Sequence, residues 1–452
     1  MTTTPARRRR VASAVVVLLA GGLVVANSSP ASAHTDATIF AASQPSALTS
    51  VPRAIALSTD GALGYVVTDG GFEKINLHTS PPSVLGTTAS IWGTSLALSA
   101  DGKTAYVVDA VSGTLDVVDV STNTPVLVTV MPAISPRNPS AVATSPDGKF
   151  VYLSYSGPGE SGGVQVLSTS ASRIPVAISS RPDNVLAGAP TDIAVTPDGR
   201  HVVTADTTNS TVTVIDTRTA ASTDIDVPGQ PGHVTISPDG RYAYVIGHLG
   251  STVSSIDLLT DQVVRTSAQL DSDSGIAVAV SADGNYVYAA TSTDSGSNSF
   301  YILDAHTFDV VEQLAGAEFP ADIGVSAAGT NRGTAYLITS GDDVGSNPGA
   351  IYPLTQTPVG ATPLALRATL ATNPISSTVR HGNRLAVAVT TVGGTAPYRY
   401  SWTLNGQAIA GPTGAKLVIS SATFAAGGIY AVRVSDSSGW VVSVARRITV
   451  AR

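Results

Sequence analysis

A short turn, Ser/Thr-x-Asp-Gly, recurs along most of this chain and limits it to folds built from a repeated β unit. Its Asp-Gly pairs are Asp60-Gly61, Asp101-Gly102, Asp147-Gly148, Asp198-Gly199, Asp239-Gly240 and Asp283-Gly284, and a degraded seventh copy stands at Ala328-Gly329. Successive turns lie 41, 46, 51, 41, 44 and 45 residues apart. That period exceeds a leucine-rich or ankyrin repeat and matches the blade of a β-propeller.

Each unit reads as four strands. In the fourth, residues 192–196 form strand one, 197–200 the turn, 201–204 strand two and 211–215 strand three, with a fourth strand after the Asp216-Thr-Arg-Thr219 corner. Proline at 146, 197 and 238 pre-sets the backbone at the second turn position, aspartate bonds locally to the backbone, and glycine takes the left-handed conformation. Tyr65, Tyr106, Tyr152, Tyr244 and Tyr288 hold one equivalent place in strand two, which aims them between neighbouring sheets. A blade cannot bury both faces alone, so the units are expected to stack radially as a seven-bladed ring. The last unit supplies only three clear strands. Either residues 37–41 close the ring as its outer strand, or residues 358–366 complete it.

The first 33 residues read as a secretory signal peptide: Arg7 to Arg10, an apolar run over 11–26, and a small-residue cleavage site at Ala31-Ser32-Ala33. The run is shorter than the ~20 residues of a membrane span, so no stable span is expected. The absence of cysteine excludes disulfides and a lipid-modified N-terminus. Loss of the leader removes four arginines and no acid, taking the net charge from -7 to -11. Such an acidic surface repels phosphate backbones, and nucleic acid is not an expected partner.

Beyond residue 357 the pattern changes. Residues 358–366 read as a linker. In residues 367–452 the strand patterns are Leu385-Ala-Val-Ala-Val389, Tyr398-Arg-Tyr-Ser-Trp402, Lys416-Leu-Val-Ile419 and Ile429-Tyr-Ala-Val-Arg-Val434, with a hairpin turn at Asn405-Gly406. This unit resembles an immunoglobulin-like β-sandwich. Trp402 fits the buried tryptophan of strand C and Tyr430 the tyrosine corner, while Val432 stands where many members carry the second cysteine. The expected architecture is therefore all-β: a seven-bladed propeller over residues 34–357, then a small sandwich.

Tyr106-Val-Val-Asp109 followed by Thr114-Leu-Asp-Val-Val-Asp119, and Val203-Thr-Ala-Asp206 followed by Thr211-Val-Thr-Val-Ile-Asp216-Thr-Arg-Thr219, resemble the YVTN-type repeat. The resemblance runs from about residue 36 to 355. It implies an exported, surface-associated propeller related to surface-layer proteins and to seven-bladed lactonases. The tetrad's asparagine is replaced in turn by Thr68, Asp109, Tyr155, Asp206, Gly247, Thr291 and Thr339.

In a propeller, strand one of each blade lines the central channel. The seven equivalent positions at the channel mouth are Ala54, Ser95, Ala141, Asp192, His233, Ala277 and Asp322. A histidine flanked by two carboxylates could exchange protons or hold a divalent metal, so Asp192, His233 and Asp322 are the candidate catalytic set if the protein is an enzyme. Arg53 beside them and Asp109, Asp206, His248 and Asp342 on adjacent loops are the candidate binding residues. Polar groups at strand starts also commonly bond backbone groups or channel water, and on that reading no cofactor is needed. Gly157-Pro-Gly159-Glu-Ser-Gly162 and Gly159-Glu-Ser161-Gly-Gly163 match nucleotide-loop and nucleophile-elbow patterns but lack the helix either requires. The oxygen-rich stretches at Asp271-Ser-Asp273 and Asp294-Ser-Gly-Ser-Asn298 lack a full calcium ligand set.

The sequence thus favours a non-catalytic, monomeric binding or adhesion scaffold, secreted or held at the cell envelope, with an extracellular protein, glycan or small ligand as partner. A lactonase-type hydrolase acting at the channel mouth is the alternative.

Overall fold

A computed structural model describes residues 24–25, 38–42, 45–358 and 367–452, apart from the internal segments 133–137, 157–161, 170–173, 178–183, 187, 271–272, 294–297, 316–318, 330, 341–347, 374–377, 393–397, 410–413 and 436–440. The chain divides into two compact units, Met1–Thr357 and Pro358–Arg452. The described residues are almost entirely β, with a single 3-10 turn at Phe424–Ala426.

The first unit contains seven antiparallel sheets in chain order. Blade one is Pro52–Leu57, Leu63–Thr68, Gly71–Asn76 and Ser83–Thr88; blade four is Asp192–Val195, His201–Asp206, Thr211–Asp216 and Ser222–Asp226. The inner strands of blades two, three, five, six and seven are Ser95–Leu98, Asn138–Thr144, Pro231–Ile236, Ser274–Val280 and Phe319–Val325. Each inner strand neighbours the next, and Phe319–Val325 neighbours Pro52–Leu57, which closes the ring. The seventh blade takes its outer strand from the front of the chain. Thr38–Ala42 lies beside Ala350–Pro358, and Ser46–Ala47 pairs with the same strand. Residues 359–366, the other possible source, lie outside the described residues. Val24–Val25, inside the segment read as a leader, pair with the outer strand of blade six.

Large against small residues set the blade spacing. Tyr65, Tyr106, Tyr152, Tyr244, Tyr288 and Tyr336 stand opposite Ala56, Ala97, Ala143, Thr235, Ala279 and Gly324 on the inner strands of their own blades. Each ring then packs into the next blade: Tyr65 with Ile91 and Val107, Tyr288 with Ile323 and Leu337, and Tyr336 with Ile55 and Val66 across the closing seam. In blade four Val203 takes this register, opposite Ala194, and joins Val234 and Val245.

The repeated turns form a second ring at the far face. In blade five the Gly240 amide donates to the Ser237 carbonyl at 2.8 Å, Ser237 Oγ donates to Asp239 Oδ1 at 2.6 Å, and the Tyr242 amide donates to Ser237 Oγ at 2.8 Å. Gly240 sits at φ +71°, and a Cβ there would lie 3.3 Å from Pro197 of the preceding turn. Proline and glycine of the motif therefore meet between blades as well as shaping their own hairpins. In the degraded copy, where Ala328 replaces the aspartate, Ser326 Oγ donates to the Ala328 carbonyl instead.

The second unit has a three-stranded sheet, Arg367–Asn373, Leu385–Val392 and Lys416–Ile419, and a five-stranded sheet that includes Arg399–Leu404, Gly428–Ser435 and Val441–Ala451. Trp402, Tyr430, Val432, Leu385 and Val387 share one core. Trp402 Nε1 donates to the Gly414 carbonyl at 3.0 Å and Tyr430 Oη to the Ala426 carbonyl at 2.6 Å.

Replacing Tyr288, which is fully buried, with alanine is expected to cost the propeller about 3–5 kcal/mol. Val111→Ala, at a side chain 94% exposed, is expected to cost less than about 0.5 kcal/mol. Urea denaturation followed by far-UV circular dichroism checks the pair.

Candidate functional site

The channel mouth is built by a backbone irregularity repeated from blade to blade. The register between strands one and two shifts between Pro52 and Ala54, Pro139 and Ala141, Pro231 and His233, Gly275 and Ala277, and Pro320 and Asp322. A bulge of this kind bends the strand and re-aims the side chain that follows it. The residue after the bulge is in each case the mouth position, and in blades two and four strand one begins there, at Ser95 and Asp192.

Asp192, His233 and Asp322 line one cavity of about 420 Å³ in the channel. His233 Nδ1 lies 3.6 Å from Asp192 Oδ2, an ion-pair distance longer than a hydrogen bond. The imidazole is encircled by the ring yet 47% exposed to the channel. Its surroundings oppose charge by desolvation, but Asp192 beside it and the field of Asp322 outweigh that effect and raise its pKa. Burial pushes the Asp322 carboxyl up to about 6, against the pull of its N–H partners and of His233.

Both carboxylates also hold the ring together. Asp192 Oδ1 accepts the amide of Ile193 at 2.8 Å and Oδ2 that of Val234 in blade five at 2.9 Å. Asp322 repeats the arrangement, taking Ile323 at 2.7 Å and Ile55 of blade one at 3.0 Å. Ser95 Oγ accepts the amide of Val142 in blade three, Ser140 Oγ donates to the Pro190 carbonyl, and Thr191 Oγ1 donates to the Gly232 carbonyl. These polar clasps link neighbouring inner strands. The serine and threonine members have no sequence signature beyond a hydroxyl residue where strand one starts.

The loop candidates do other work. Arg53, the bulge residue of blade one, makes a bidentate pair with Asp69, both bonds at 2.7 Å. Asp69 was not singled out from sequence, although it directly follows strand two as Arg53 directly precedes the mouth position. Asp109 Oδ1 caps the amides of Val111 and Ser112, and Ser112 Oγ donates to its Oδ2; these bonds outweigh desolvation and hold its carboxyl below the usual range. Asp206 is buried and caps the amides of Thr208 and Asn209. His248 Nδ1 is 3.3 Å from Ser274 Oγ in blade six. Asp342 lies outside the described residues. Among the described residues no group of three or more histidine and acidic side chains is placed to hold a metal ion. Gly162 and Gly163 open a strand, not a helix; residues 157–161, 271–272 and 294–297 of the other discarded motifs are outside the described residues.

Two family profiles match parts of the first unit. The family described as lactonase, 7-bladed beta-propeller, matches residues 50–224, and the cytochrome D1 heme domain family matches residues 201–328. No curated protein matches the chain. The two matches, with the closed ring, make this a β-propeller protein. The cavity does not suit a haem: the ring of a haem carries carboxylates of its own, and the lining offers Asp192 and Asp322 but neither lysine nor arginine. No helix among the described residues is long and apolar enough to cross a membrane.

His233 supplies a pH test. Its pKa is raised on folding, so native protein holds the proton more tightly than unfolded chain, and the resulting stability is fully present below the unfolded value of 6.5 and lost as pH rises through the folded value. The urea midpoint of the unmutated chain is expected to exceed that of His233→Gln by more at pH 5.5 than at pH 8.5. A constant difference across that range contradicts the assigned pairing with Asp192.

Proposed function

We propose that this protein is an exported, non-catalytic binding scaffold, whose propeller presents its channel mouth to an extracellular ligand. The observation that carries this reading is the use of the two acids. Every oxygen of Asp192 and Asp322 already accepts a backbone amide, an arrangement that commits both side chains to fixing the inner strands. The second unit, with its two sheets, buried Trp402 and Tyr430 corner bond, is read as an immunoglobulin-like spacer or second contact. The leader pattern supports secretion or residence at the cell envelope.

One observation pair favours hydrolysis as a second reading. The lactonase profile match covers blades one to four, and Asp192 lies within ion-pair distance of a solvent-open histidine. In that reading Asp192 orients His233, which takes a proton from water as it attacks a lactone carbonyl. His233 and Asp322 both lie beyond the matched residues, which weakens the transfer.

A panel of lactones and esters assayed with the unmutated chain and with His233→Ala separates the two. The scaffold reading expects no turnover above buffer for either. Turnover that falls about 10²–10⁴-fold in the variant overturns it in favour of hydrolysis.

A further inference from the structure

The channel is amphipathic along its axis. Its lining includes Val234, Ile236, Val278, Val280, Ile323 and Val325, and it runs toward the turns of the far face at Pro238, Ala282 and Ala327. Ionisable groups in that lining occur at one end only, as Asp192, His233 and Asp322. The other mouth positions, Ala54, Ser95, Ala141 and Ala277, bring no charge, and the nearby cation Arg53 is neutralised by Asp69. The cavity, about 420 Å³, is of a size that suits a small ligand.

Resting on the binding reading above, we propose that the channel takes an amphipathic cation, with an alkylammonium head at the collar of Asp192 and Asp322 and its hydrocarbon chain along the apolar wall. Each carboxylate oxygen gives one lone pair to an amide and keeps another for the ligand. A carboxylate head meets two like charges. A neutral head leaves the collar's charge uncompensated. The hydrocarbon gains by leaving water in proportion to the area it buries.

His233 makes this binding depend on pH. A protonated imidazole and a ligand ammonium are like charges competing for the same two acids. Asp322, pushed up to about 6, is largely neutral at pH 5 and ionised at pH 8, and the imidazole, its pKa raised by the acids beside it, carries its proton more fully at the lower pH, so the collar becomes more negative as pH rises. An alkylammonium ion stays charged throughout.

Titration calorimetry on the full chain at low salt, with butyl-, hexyl- and octylammonium, octanol and octanoate, tests the assignment. At pH 8 affinity is expected to tighten about threefold per added methylene, to weaken tenfold or more at pH 5, and to be absent for octanoate. His233→Lys, at a half-exposed side chain, is expected to weaken octylammonium at least tenfold and leave octanol unchanged. Octanol or octanoate binding as tightly as octylammonium, or affinity independent of chain length, overturns the ligand class while the channel stands as a binding site. Absence of binding by all five compounds overturns the ligand class and the channel as the seat of binding.

Discussion

The fit of a tyrosine ring over a small inner-strand residue, repeated from blade to blade, governs this molecule. Tyr65 over Ala56, Tyr288 over Ala279 and Tyr336 over Gly324 fill the wedge between sheets that diverge from a common axis. The small partner leaves room for the ring, and the ring then supplies apolar surface on which the following blade rests. Six of the seven blades are spaced by that contact, and in blade four Val203 over Ala194 takes its place. The width of the channel, and the convergence of Asp192, His233 and Asp322 on one cavity, follow from that spacing.

Much of this was legible in the residues because the repeat is legible. Asp-Gly turns fix where strand one ends, tyrosines fix the phase of strand two, and counting back from the turn locates seven equivalent positions at the mouth. How those positions are used was not legible. Whether Asp192 is a base or a clasp depends on the amide of Val234, 42 residues away, and on the angle between two strands that share no pattern. Arg53 and Asp69 illustrate the same limit, since their pairing follows from the bulge of strand one meeting the end of the strand two beside it. The seventh blade was ambiguous for a different reason: a short apolar strand before the first repeat and a Pro/Thr-rich stretch after the last both satisfy local propensity, and only ring closure selects between them.

The mouth combines two demands on one set of side chains. A carboxylate that accepts two amides is rigid and well placed, and part of its hydrogen-bonding capacity is committed to that placement. His233 is free of this constraint. Its neighbours raise its pKa, and its side chain stays half exposed to the channel.

The outer strand Thr38–Ala42 joins a partner, Ala350–Pro358, from the opposite end of the same unit. During synthesis the earliest residues must therefore wait for the latest, and no intermediate length of chain can reach the closed topology. Blades can form one by one from local hairpins, but the circle is completed in a single late step with a large loop-closure cost. Until then the molecule is an open arc with an unpaired edge at each end.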